Sequence, residues 1–137
     1  VALSGREGNG FGTKFNLVHK KEKYEVKGTL GYLVEDLDDS TLAYDQLDFK
    51  ISLMKNCDYK YLTSWALEGL YQGREYDSTT AGTALREDDK LTFSLGLTKS
   101  CDSHSVTLKG SLVDNDSSRT TNTYEKEMVT FNYGYSF

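Results

Sequence analysis

The stretch "SHS", Ser103 to Ser105, sets a hydroxyl on either side of His104, and His19 is the only other imidazole in the chain. A serine becomes a nucleophile when an imidazole takes its proton and an acid orients that imidazole. No GxSxG-type context surrounds these serines and no orienting acid is evident, so solvated turn chemistry is the expectation and a hydrolase the alternative. Cys57 and Cys101 stand in the near-repeats "KNCD" and "KSCD". Two thiols alone cannot build a zinc site, and their spacing fits no CxxC motif. A disulfide stapling neighbouring turns and a pair of free thiols both remain open. Three acidic clusters, Glu35, Asp36, Asp38 and Asp39; Glu87, Asp88 and Asp89; and Asp114 with Asp116, have the oxygen ligands a divalent cation needs, although solvated loops read the same way. "GREGNG", Gly5 to Gly10, has the glycines of a phosphate cradle without the strand-to-helix context, which makes it a hairpin loop. No catalytic residue, cofactor or metal site is expected.

The elements that must hold these residues follow from composition and periodicity. A chain of 137 residues suits one domain. No apolar run approaches the ~18 residues of a membrane helix. Net charge −5, with no basic stripe between stacking aromatics, argues against nucleic acid as a partner. The first residues, "VALSGREGNG", lack the charged and apolar regions of an export signal. The absence of proline fits long hydrogen-bonded strands, since proline cannot donate to a ladder.

Period-two alternation recurs in seven stretches, which predicts an all-β chain. The strands are expected at about Phe11 to His19, Tyr24 to Val34, Leu47 to Leu53, Tyr59 to Gln72, Leu91 to Thr98, Val106 to Leu112 and Val129 to Phe137. Each has one apolar face and one face of small or charged residues. Leu42 and Tyr44 fall out of phase with Leu47 to Leu53, which predicts a bulge near Asp45 and Gln46. Short connections, "KKEK", "KNCD" and "KSCDS", alternate with long polar ones, so all tight turns lie at one end of an up-and-down meander.

Periodicity does not say which face meets solvent, because a lipocalin-like barrel alternates with its apolar face inward. Three features favour apolar-out. The polar face is rich in small residues, the apolar stretches of about 9 to 11 residues match a tilted membrane-crossing strand, and aromatics gather at strand ends. Tyr24, Tyr59, Tyr61, Trp65 and Tyr71 form the expected aromatic girdle. Lys14, Lys27, Lys50, Lys60, Lys109, Glu25, Asp48 and Glu68 would face the lumen.

The chain closes on Val129, Phe131, Tyr133, Tyr135 and Phe137, alternating with Thr130, Asn132, Gly134 and Ser136. This ending resembles the carboxy-terminal assembly signal of bacterial outer-membrane β-barrel proteins, whose short periplasmic turns and long extracellular loops are also similar to those here. The last hairpins look like those of larger barrels in exopolysaccharide-export or surface-lipoprotein-assembly proteins. The resemblance implies an antiparallel transmembrane β-barrel of about seven to eight strands, or the terminal portion of a larger one, in the outer membrane. It implies a structural or pore and transport role, with membrane lipid, lipopolysaccharide and the barrel-assembly machinery as partners. It also places the acidic loops where cations would bridge lipopolysaccharide phosphates.

Seven strands leave the first one descending from outside, whereas such barrels usually have an even count. Val1 to Gly5 would reach only about 17 Å at ~3.4 Å per residue, short of a ~30 Å hydrocarbon core. An N-terminal segment or a further chain is expected to complete the barrel. The alternatives are a soluble calycin-like barrel holding an apolar ligand and a small outer-membrane lipid hydrolase.

Overall fold

The computed structural model describes residues 8–37, 43–76 and 85–136, except for the side chain of Asp58. It is all-β: one antiparallel sheet of seven strands in sequence order, with a single 3-10 turn at Thr120–Asn122. The strands are β1 (Gly8–Lys20), β2 (Tyr24–Leu37), β3 (Tyr44–Tyr59), β4 (Leu62–Tyr76), β5 (Glu87–Cys101), β6 (His104–Ser117) and β7 (Tyr124–Tyr135). Each strand pairs only with its sequence neighbours, so among the described residues the sheet does not close and β1 and β7 are its edges.

Tight turns do gather at one end. Cys101 pairs with His104 across the two residues Asp102 and Ser103, and Asp102 has φ 49°. Two-residue hairpins of this kind require a positive φ, which aspartate tolerates better than most side chains. Tyr59 pairs with Leu62 across Lys60 and Tyr61. The turn from β3 to β4 therefore sits later than "KNCD". Tyr59 ends β3 and Lys60 and Tyr61 form the turn, so none of the three starts the fourth strand or, for Lys60, faces a lumen. Cys57 is likewise in β3, not in a turn.

The bulge lies elsewhere than expected. The β2 to β3 ladder runs unbroken from Glu35 and Tyr44 to Tyr24 and Lys55, with no irregularity at Asp45 or Gln46. The register shifts instead between Asn56 and Tyr59, where Cys57 and Asp58 oppose Thr63 alone. Tyr44 is out of phase simply because it belongs to the polar face, where its ring lies 5.6 Å from that of Tyr76; Leu42 is outside the described residues. Gly8 to Gly10 open β1 as strand, not loop. A Cβ on Gly8 would lie 2.2 Å from the Asp36 carbonyl oxygen, a close approach that requires glycine.

Few apolar side chains are buried among the described residues. The largest side chains form no core: none is fully buried, and Ala43 and Val113 are the only buried apolar residues among those described. Through most of β5 and β6 exposure alternates residue by residue, and apart from Gly96 and Val113 the enclosed positions are the polar ones. Phe93 is 56% exposed while its neighbour Ser94 is 9% exposed. A flat sheet would shield its two faces alike, so this asymmetry means that the sheet curls toward its polar side.

Candidate functional site

Residues directly opposite each other in an antiparallel ladder point to the same side, so the register assigns every side chain to a face. Ile51, Gly69, Phe93 and Leu112 form one cross-strand row of the outer face. Leu108 and Phe131 belong to another. These residues are apolar, the first row ending at Glu127 on β7, and Phe131 is 67% exposed. Val129, Phe131, Tyr133 and Tyr135 of the terminal pattern all point outward from β7, continuous with this surface; Phe137 lies outside the described residues.

Aromatic groups mark both margins of the outer face. Tyr24, Trp65, Tyr133 and Tyr135 stand toward the tight-turn end, with Tyr59 and Tyr61 at the turn itself. Tyr71 stands at the opposite margin with Tyr32, which sequence reading left out of the girdle. Each donates its hydroxyl proton to a carboxylate on the next strand: Tyr71 to Asp89 Oδ1 at 2.6 Å and Tyr32 to Asp45 Oδ2 at 2.7 Å. Beyond them the outward positions of β3 to β6 are largely acidic, with Asp45, Glu75, Glu87, Asp89 and Asp116; Asp114 and Glu125 share the row of Tyr71, and Glu127 that of Phe93 and Leu112. Among the described residues no three His, Cys, Asp or Glu side chains converge as a metal site. Asp38 and Asp39 are outside the described residues.

The inner face carries a polar network among a few apolar side chains, Leu33, Met54, Leu70, Val113 and Met128. Lys109 Nζ donates to Glu68 Oε1 at 2.9 Å across the intervening β5, and Lys50 pairs with the other oxygen of Glu68. Gln72 and Gln46 both donate to Asp48 Oδ1, at 3.0 and 2.8 Å. Hydroxyl pairs bridge Ser94 to Ser111 and Thr98 to Thr107. Among the described residues no buried side-chain nitrogen or oxygen lacks a partner. A network satisfied to that degree can line an enclosed space without the penalty of an orphaned polar group.

At the long-loop end, beyond the apolar band, this face holds a cavity of about 340 Å³ lined by Gln72, Arg74, Arg86, Asp88, Lys90, Asn115, Thr121, Asn122 and Tyr124. The 3-10 turn covers it, tied down by the Asn115 amide donating to the Asn122 carbonyl at 2.8 Å. Arg86 forms an ion pair with Asp88 and stacks on Tyr76, with 4.4 Å to the ring centroid. Burial pushes the Asp88 pKa up, but hydrogen bonds from Arg86 and Ser117 outweigh it, and the carboxyl sits below its ordinary value. The hydrogen bond to Asp88 raises Arg86 in turn.

The remaining candidates separate. His104 Nδ1 lies 2.6 Å from the Tyr133 hydroxyl, and its ring is 4.9 Å from that of Tyr135. Ser105 is its neighbour in a strand and so points from the other face, toward Gly134. His104 thus serves as a clasp for the last strand. His104→Ala should loosen that strand by about 1 kcal/mol, the worth of a typical cross-strand pair and hydrogen bond. Amide exchange of residues 131–135 should then quicken while β3 to β5 stay protected; unchanged exchange would refute the clasp. Cys57 and Cys101 are both free thiols, Cys101 exposed and Cys57 half-buried.

Neither a family model, nor a curated protein, nor a solved structure matches this chain.

Proposed function

We propose that this chain forms the wall of an antiparallel β-barrel in a bacterial outer membrane, with a structural or pore-forming role and no catalysis of its own. One observation carries the proposal: the continuous apolar face is the exposed one, and the charged, hydrogen-bonded face is the one that the sheet encloses. Water would disfavour an apolar surface running across seven strands, since soluble monomers rarely expose contiguous patches above a few hundred Å². Hydrocarbon has no such preference. Tyrosines and tryptophan at the margins of the band fit the water-lipid boundary. A carrier for an apolar ligand requires the opposite orientation, with Phe93 and Phe131 turned inward.

Lipid also constrains the edges. Unpaired backbone groups in hydrocarbon cost several kcal/mol each, so strands there are found in closed barrels. β1 and β7 both run from the long-loop end to the tight-turn end. An antiparallel neighbour of either must run the other way, so an odd number of further strands, from another segment or another chain, closes the barrel. Lipopolysaccharide on the acidic, long-loop side and the barrel-assembly machinery are the partners this reading assigns.

Extraction and electrophoresis test it. The protein in its native membrane should resist high salt and carbonate, dissolve only with detergent, and migrate differently when boiled and unboiled, as a closed barrel does. A monodisperse, detergent-free solution that binds a hydrophobic dye in its interior would replace this reading with the carrier.

A further inference from the structure

The overall charge of −5 conceals a separation that only the register reveals. Along the strands the outward positions beyond the apolar band carry carboxylates, whereas the inward positions carry Lys14, Lys20, Lys27, Lys50, Arg74, Lys90, Lys109 and Lys126 against Glu25, Glu35, Asp48, Glu68 and Asp88. The surplus is most concentrated in the cavity under the 3-10 turn. There Arg86 is neutralised by Asp88, which also accepts from the Ser117 and Tyr76 hydroxyls. Arg74 has no carboxylate partner among the described residues: its Nε donates to the Gln46 amide oxygen, and its guanidinium lies 4.9 Å from the centroid of Tyr44. Lys90 makes no hydrogen bond or ion pair among the described residues. Lys90 sits opposite Gln72, and Arg74 two residues further along β4. Such diagonal neighbours lie roughly 7 to 8 Å apart, room for an anion between two long cationic side chains.

We propose that this cavity is an anion site, taking a phosphate or carboxylate group of a small solute between Lys90 and the outer nitrogens of Arg74, with the amides of Gln72 and Asn115 as further donors. The volume of about 340 Å³ falls within the range of small-molecule pockets, so the anionic group would belong to a larger molecule than inorganic phosphate alone. Enclosure strengthens each charge-assisted contact, because a lumen screens less than open water. The site rests on the barrel reading in one respect only: closure makes it the long-loop mouth of a lumen.

The test uses the full chain in detergent, titrated with inorganic phosphate and separately with citrate by calorimetry, with glycerol as the uncharged control. At least one anion should bind and glycerol should not. Lys90→Gln should weaken that binding about tenfold, the loss of one charge-assisted contact, and adding Arg74→Gln should abolish it. Lys90→Arg, which keeps the charge, should restore most of the affinity and guards against misfolding as the cause. Binding of neither anion, or equal binding by wild type and Lys90→Gln, overturns the site. The boiled and unboiled migration of the same samples reports the barrel separately: a heat-modifiable protein that binds no anion sinks only the site, and a soluble protein with Lys90-dependent binding sinks only the barrel.

Discussion

Phe93→Lys should lower the stability of the chain folded into phospholipid vesicles by about 2 to 4 kcal/mol, the cost of a lysine on the lipid face of a barrel near the bilayer midplane. Phe93 stands in the middle of the outer face, between Gly69 and Leu112, with more than half of its surface exposed. In water the same substitution would remove an exposed aromatic ring and add a solvated charge, a change usually within ±0.5 kcal/mol. The two solvents therefore predict outcomes that differ in size and in benefit to solubility. Reversible urea titration in vesicles, followed by the fluorescence of Trp65, the only tryptophan, measures the difference. Asp116→Lys, two outward positions nearer the long-loop end on the neighbouring strand, is the depth control and should cost no more than about 1 kcal/mol. Equal, negligible effects at both positions would remove lipid from the outer face.

Glu68→Gln should be the most damaging single change on the inner face, at about 2 to 3 kcal/mol, because removing one member of an enclosed charge cluster leaves the others uncompensated. Glu68 holds Lys50 from one side and Lys109 from the other, spanning β3, β4 and β6. Without it two ammonium groups face each other over β4 and β5. Lys50 and Lys109 keep some access to water, which holds the cost below that of a dry pair. Lys50→Met with Lys109→Met in the Glu68→Gln background should recover most of the loss, since uncharged neighbours need no counter-charge. Urea midpoints of the three proteins, compared at low and high salt, decide it. Salt should partly rescue the Glu68→Gln protein by screening the repulsion. A Glu68→Gln protein as stable as wild type would mean that the cluster is solvated and the inner face is not enclosed.

The places where sequence reading missed share one cause. Strand β7 begins at Tyr124 and β5 at Glu87, earlier than their apolar alternation does. Glu125, Lys126, Glu127, Glu87, Asp88 and Asp89 have no hydrophobic signal, yet they are in the ladder because the neighbouring strand extends that far. Hydrogen bonds to a partner backbone keep a strand going whatever its side chains are. The Tyr59 to Tyr61 run failed for a related reason: aromatic residues on both sides of a two-residue turn look like one continuous strand, and only the pairing of Tyr59 with Leu62 breaks them apart. Cys57, read as a turn residue, is displaced by the same error.

The sequence by itself determined the seven strands, their order, the alternation of an oily and a polar face, and the gathering of tight turns at one end. Those are local properties: a period of two assigns each side chain to a face, and short connections force neighbours to pair. Three things belonged to the tertiary structure: the direction of curl, the bulge at Cys57 and Asp58, and the meeting of Arg74, Arg86 and Lys90 in one cavity. Each depends on distance between strands. Alternation has no sign for curvature, and charges far apart in the chain become neighbours only through the ladder's register.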